Sequence, residues 1–354
     1  MTHHTNHGGE TPRVREDSRP MCLPFEYGRY VFQLVAASPL ELPDFSGSLF
    51  RGAFGWALQR VICVTRTYEC SSCFVKSRCL FPQVFDTAPP PGTAVMRKYS
   101  TIPHPFVLEP PGLGQQTLSP NQPFELGLTL FGTVTASLPY FVFAVERMGQ
   151  RGLGRRRVRC ELLKVEAYHR HERWLVYTPE ESCPKPASMF VEQAPITLSL
   201  EPRDAVSRVT VRFLTPVRLR FQGVLVKTVP FHVLIRHLLR RIALLSYFHC
   251  GGPGDGIPFR DLIALAERIR VVTATVDWFD WVRYSSRQRA TMALGGLLGE
   301  VTYEGPLTPF LPLLRIGEIC HVGKGTSFGL GCYRLAVHQP EEAASSGSGF
   351  LAEA

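Results

Sequence analysis

Residues able to do chemistry gather first near the C-terminal end of this 354-residue chain, in RIGEICHVGKGTSFGLGCYRL. There His321 and Lys324 stand among Gly323, Gly325, Gly329 and Gly331, with Thr326 and Ser327 between them. Glycines at that density let the backbone take positive φ and come close to a ligand, leaving amide N–H groups to point outward. A histidine carries a proton near neutral pH, and a lysine adds fixed positive charge. The stretch is expected to cradle an anion or an RNA backbone; the plainer alternative is a tight turn between two elements.

Arginine supplies the next signal. Phe231–Phe248 reads as a helix with Arg236, His237, Arg240 and Arg241 on one face and leucines and isoleucines on the other. RGLGRRRVR brings Arg155, Arg156 and Arg157 together without an acid, and WVRYSSRQR adds Arg283 and Arg287. Such runs are ordinarily solvated faces, but unopposed arginines repel one another unless an anion lies against them. The planar guanidinium matches phosphate, and a net charge of +9 agrees with a nucleic-acid partner. His249, at the end of the basic helix, is a second candidate proton carrier; a cap over the helix C-terminus is the blander account.

Cys63, Cys70, Cys73 and Cys79 form the remaining cluster, on a stretch between a helical segment and LFPQVF. Four thiolates at such spacing can close a tetrahedral structural Zn²⁺ site, with unligated or redox thiols and an iron–sulfur cluster as alternatives. A closed four-ligand site braces a loop and leaves no position for substrate, so no catalytic cofactor is expected there. Clustered cysteines behind an N-terminus with no apolar signal core suggest a reducing, cytoplasmic setting. No run approaches the ~18 apolar residues of a membrane span.

The elements that must position these residues repeat in kind. Arg29–Ala37 reads as a strand, SLFRGAFGWALQRVIC as a helix, and Phe124–Phe131 and Tyr140–Val145 as two strands. Asp86–Pro123 is rich in Pro and Gly and is expected to be loop with short extended pieces. After a break around Ser182–Arg203, a strand begins at Val209, followed by the basic helix and a second helical piece, PFRDLIALAERI. Strands Val271–Trp278 and Gly299–Tyr303, helix-like PLTPFLPLLRIG and the glycine loop complete the order. The expected fold is α+β: two tandem ferredoxin-like (RRM-like) βαββαβ domains, residues 23–200 and 201–338, with a Cys-rich loop inserted in the first. Residues 1–22 and 339–354 are expected to be disordered tails.

Taken together, SLFRGAFGWALQRVIC, the CxxCxxxxxC segment with LFPQVF, RVTVRFLTPVRL and above all HVGKGTSFGLGCYRL resemble the CRISPR-associated endoribonucleases of the RAMP superfamily. The resemblance implies a double ferredoxin-like fold and processing of precursor CRISPR RNA. It also implies metal-independent cleavage by 2′-hydroxyl attack, leaving a 2′,3′-cyclic phosphate. The family's glycine-rich loop maps onto Gly323–Gly331. Many relatives carry an active-site histidine on or near the first helix, where this chain reads GWAL, with Trp56 and no histidine. That departure keeps open a non-catalytic crRNA-binding subunit of a CRISPR effector complex. For the nuclease, metal-free cleavage needs a base, an acid and fixed positive charge, and the candidates are His321, His249 and Lys324.

Overall fold

The computed structural model describes residues 20–90, 93, 101–200, 206–285 and 290–338, the side chains of 283–285 and 290–293 excepted. Arg287 and most of both expected tails lie outside these residues, and nothing is described of the Arg283 side chain.

The N-terminal half builds β1 (Glu26–Ala36), α1 (Gly47–Ile62), β2 (Phe106–Glu109), β3 (Pro123–Phe131), α2 (Leu138–Arg151), β4 (Cys160–His169) and β5 (Glu172–Tyr177). The strands lie side by side as β2-β3-β1-β4-β5, every pair antiparallel, with Tyr30 opposite Leu128 on one side and Ala167 on the other. Alternate β1 residues Tyr30, Phe32, Leu34 and Ala36 point inward and are fully buried, as the twofold strand period dictates. The C-terminal half repeats the plan with β6 (Arg208–Val217), α3 (Phe231–His249), β7 (Arg270–Ser285), β8 (Ala290–Glu304), α5 (Leu311–Cys320) and β9 (Tyr333–His338). Its order is β7-β8-β6-β9, again antiparallel, and α4 (Phe259–Ala266) sits between α3 and β7. Each half is therefore a βαββαβ unit with its first strand between its third and fourth, the ferredoxin-like arrangement.

One element differs from expectation. Tyr140–Val145 is not a strand but the middle of α2. Aromatic and β-branched residues suggested a strand, yet Leu138, Phe141, Val142, Val145 and Met148 are all buried at spacings of three and four. Phe141 stacks on Phe54 of α1, with centroids 5.9 Å apart, so the two helices share the core face of the sheet. The four-residue β2 is one of the short extended pieces expected in the Pro/Gly-rich stretch, and its Phe106, Val107 and Leu108 are fully buried.

The halves share apolar packing. Leu23, Phe25, Tyr27, Val107 and Phe131 from the N-terminal half join the C-terminal core around α3. At a second seam, α1 begins against the glycine-rich loop: a Cβ on Gly47 would run into the carbonyl oxygen of Phe328. No described helix is long and apolar enough to cross a membrane.

Gly47 thus makes a local test of the seam. Gly47→Ala is expected to lower unfolding free energy by about 1–3 kcal/mol through overpacking. Gly52→Ala, exposed on the same helix with open space around its Cβ, should be neutral or stabilising. Urea denaturation of both variants checks it; equal stabilities would refute the interlock.

Candidate active site

The glycine-rich loop runs from Val322 to Gly331 and turns through positive φ at Gly323, Gly325, Gly329 and Gly331. It is less open than its composition suggested. The amides of Lys324, Phe328, Gly329 and Gly331 donate to the carbonyls of Arg218, Gly325, Thr326 and Pro216. Thr326 and Ser327 are buried, and the loop wedges between α1 and β2 of the other half. Lys324 alone among its named polar residues is exposed. Its ammonium is held below the usual lysine range, first by partial burial and then by Arg220, Arg218 and Arg240. Those causes place a basic cluster beside the loop.

From α3, Arg236 and Arg240 are exposed, and the His237 ring nitrogen Nε2 meets the backbone of Arg220. Arg241 departs from the expected shared face. One residue is a rotation of about 100° on a helix, and Arg241 turns inward. It is buried, with Nε donating 2.6 Å to the carbonyl of Cys320 at the end of α5. Arg241 therefore closes a helix terminus and is not positioned for RNA. Arg155, Arg156 and Arg157 stay exposed on the turn after α2, where Arg156 meets Glu41 at 3.5 Å and so is not unopposed. Arg155 and Arg157 line a groove with Ser48 and Gly52 of α1. Beside them Trp56 is stacked between the guanidinium groups of Arg60 and Arg151, 4.1 and 3.8 Å from the ring centre.

Neither histidine expected to carry protons reaches the surface. His321 is fully buried at φ +60, a backbone state that costs a non-glycine residue about 1–3 kcal/mol. Its Nε2 lies 3.7 Å from Glu109 at the end of β2. Burial opposes its charge, but Cys332 and Glu109 outweigh that, and its pKa is raised to about 9. His321 is placed as a pin between the halves. His249 is buried too, with Nε2 2.9 Å from the carbonyl of Pro103; burial pushes its pKa down to about 4.

Cys63, Cys70, Cys73 and Cys79 line one narrow cavity with Gln59, Phe81 and Pro82, and all four thiols are free. Gln59 reaches across it, its Nε2 3.5 Å from Cys70 Sγ and 2.9 Å from the Tyr68 carbonyl. Among the described residues no three or more Cys, His, Asp or Glu side chains are gathered as metal ligands. The donor chemistry suits zinc; the side-chain placement does not close on one.

The structure also builds a centre around Arg51, which the sequence did not single out. From α1, its guanidinium makes a 3.1 Å bond through Nε to Ser327 Oγ of the glycine-rich loop. Its Nη2 lies 3.2 Å from His104 Nε2, and the group packs over the rings of Phe85 and Phe328 at 4.9 and 4.4 Å. His104 is half-buried, and its pKa is pushed down to about 4, by burial first and then by Arg51. Residues 51, 104 and 327 are far apart in the chain, and no local motif links them.

Known proteins place this architecture. Residues 211–333 match the family model for the CRISPR-associated endoribonuclease Cas6, and residues 23–189 match the AF_1859 N-terminal domain. An uncharacterized protein of Archaeoglobus fulgidus is 26% identical over 305 residues, covering 83% of this chain and 93% of the relative. A Cas6 solved as a product complex, from Thermus thermophilus, shares 18% identity over 88% of this chain and 99% of its own, with a TM-score of 0.50. A partial Cas6-RT-Cas1–Cas2 complex shares 11% identity over 89% of this chain and 46% of its own, with a TM-score of 0.52. At these identities the solved structures speak for a common fold, and the family match over the second half joins it to the glycine-rich loop described above. The chain thus carries a match to the Cas6 endoribonuclease model on its C-terminal ferredoxin-like unit and shares the paired fold of solved Cas6 proteins.

Proposed function

We propose that this protein binds CRISPR repeat RNA and cuts it as a metal-independent endoribonuclease, maturing precursor transcripts into guides. The observation that carries this reading is the basic cluster that Arg218, Arg220 and Arg240 form around Lys324, which stands on the loop that wedges against α1. Cations crowded beside one another gain most when a phosphate chain lies across them. In the reaction, the ribose 2′-oxygen attacks the adjacent phosphorus and the 5′-oxygen leaves, giving a 2′,3′-cyclic phosphate. The protein's part is to align the strand, accept the 2′-proton and hold positive charge on the crowded phosphorane. A second reading, an RNA-binding subunit that holds its guide uncut, is favoured by the burial of His321 and His249 and by the arginine-flanked Trp56.

A structural zinc held by the four cysteines is a separate proposal, outside the chemistry, and its partners are Cys63, Cys70, Cys73 and Cys79. Their common cavity supports it.

Purified protein in excess EDTA is expected to cut a CRISPR repeat RNA at one position, and to bind but not cut the same RNA carrying a 2′-deoxy sugar just upstream. Dependence on Mg²⁺, or cleavage of the deoxy substrate, would refute the mechanism. Metal analysis of the same preparation should find about one zinc per chain, lost in a Cys70→Ser/Cys73→Ser variant.

Lys324→Ala and Arg240→Ala should each weaken binding of repeat RNA and reduce the slope of log affinity against log salt by about one. Unchanged slopes would remove the cluster from the RNA path.

The contact between the two halves should also respond to pH. His249 and His104 sit well below the ordinary histidine value, at about 4, so their contribution to stability is present above about 6.5 and lost as pH falls toward 4. His321 is raised to about 9, so its contribution is complete below about 6.5 and lost as pH rises through 9. Melting temperature should therefore fall on both sides of neutrality. His321→Gln should flatten the alkaline limb and leave the acid limb; an unaltered alkaline limb would contradict the assignment.

A further inference from the structure

We propose that His104 is the general base of RNA cleavage and that Arg51 binds the scissile phosphate, so that the active centre lies where α1, the segment before β2 and the glycine-rich loop meet. This rests on the ribonuclease reading above.

The histidine is held for that task. Thr87 Oγ1 donates its hydrogen to the carbonyl of Ile102 at 2.8 Å, so it offers His104 only a lone pair. His104 Nδ1 lies 3.2 Å from that oxygen and 3.0 Å from the carbonyl of Val84. Both neighbours accept, so Nδ1 carries the ring hydrogen and Nε2 keeps its lone pair. A ring with one nitrogen anchored to a carbonyl and the other presented as an acceptor is oriented as a proton acceptor must be. Phe85 and Phe106 flank the ring, with centroids 6.4 and 5.9 Å away, and fix its plane.

What meets the lone pair is Arg51, 3.2 Å away. The bonds from Arg51 to His104 and to Ser327 go to neutral acceptors, each weaker than the charge-assisted bond a guanidinium makes to a phosphate oxygen. A phosphate entering here draws the guanidinium toward itself and uncovers Nε2. The 2′-hydroxyl proton then passes to Nε2 as the O2′–P bond forms and the P–O5′ bond breaks. The departing 5′-oxygen takes its proton from water, and the imidazolium returns its own to solvent. Arg51, bound to Ser327, stays beside the phosphorane and offsets its added negative charge. Arg51 stands on α1 while His104 comes from a loop more than fifty residues onward, so a histidine absent from α1 itself is supplied from the neighbouring segment.

His104→Asn preserves an N–H where Nδ1 meets the Val84 carbonyl and removes Nε2. Cleavage of a synthetic CRISPR repeat RNA should slow about 100-fold or more, with binding of the 2′-deoxy RNA retained. The defect should persist on RNA with a 5′-bridging sulfur at the scissile bond, a leaving group that needs no proton. Restoration by sulfur would make His104 an acid and overturn the assignment, as would cleavage within about threefold of the unaltered protein. Should the asparagine variant fail to fold, Arg51→Lys carries the test. It should cut more slowly while still binding the 2′-deoxy RNA, and unchanged cleavage would overturn the centre. Protein that cuts normally without His104 leaves the ribonuclease reading standing; unaltered protein that binds repeat RNA and never cuts it overturns both.

Discussion

The rest of this structure depends on the contact between the glycine-rich loop of one ferredoxin-like unit and the first helix of the other. It is made at backbone distance. Phe328 presents its carbonyl to α1 where only a glycine, Gly47, leaves room. Arg51 then lays its guanidinium over the Phe328 ring and bonds to Ser327. Glu109 and the buried His321 complete the seam on the far side of the loop. These groups come from α1, the glycine-rich loop, β2 and the end of α5, elements of both halves, so the seam ties the two units together at several points.

This explains why the loop has so many glycines and yet so few outward amides. Four positive-φ turns in nine residues are needed to fold the chain back on itself, satisfy its own carbonyls and fit a wedge into a narrow gap. The strained backbone at His321 belongs to the same economy: the rigid packing around it over-determines a conformation that would not persist alone. The charge follows a similar division. Lys324, Arg236 and Arg240 remain at the surface, whereas Arg241, one position along, is consumed in capping α5.

Much of the fold was legible from the chain alone. The helical spacing of Phe50, Phe54, Ala57 and Leu58, the alternation in β1 and β6, and the matching order of elements in the two halves are local patterns. Where composition and period conflicted, period prevailed: Tyr140–Val145 had strand-like residues at helical intervals and became α2. β2 was expected only as an unplaced extended piece, because four residues between prolines are too short to show any period.

The sequence by itself determined the charge, the glycine loop, the cysteine cluster and the secondary-structure order, because each is written in adjacent residues. Only the tertiary structure decided which ionisable groups meet solvent. His321 looked like a loop histidine and is sealed against Glu109, while His104, placed between two prolines, stands against Arg51. The physical reason is that burial, and with it the proton affinity and reach of a side chain, is set by elements distant in the chain. No window of sequence contains both partners of those contacts.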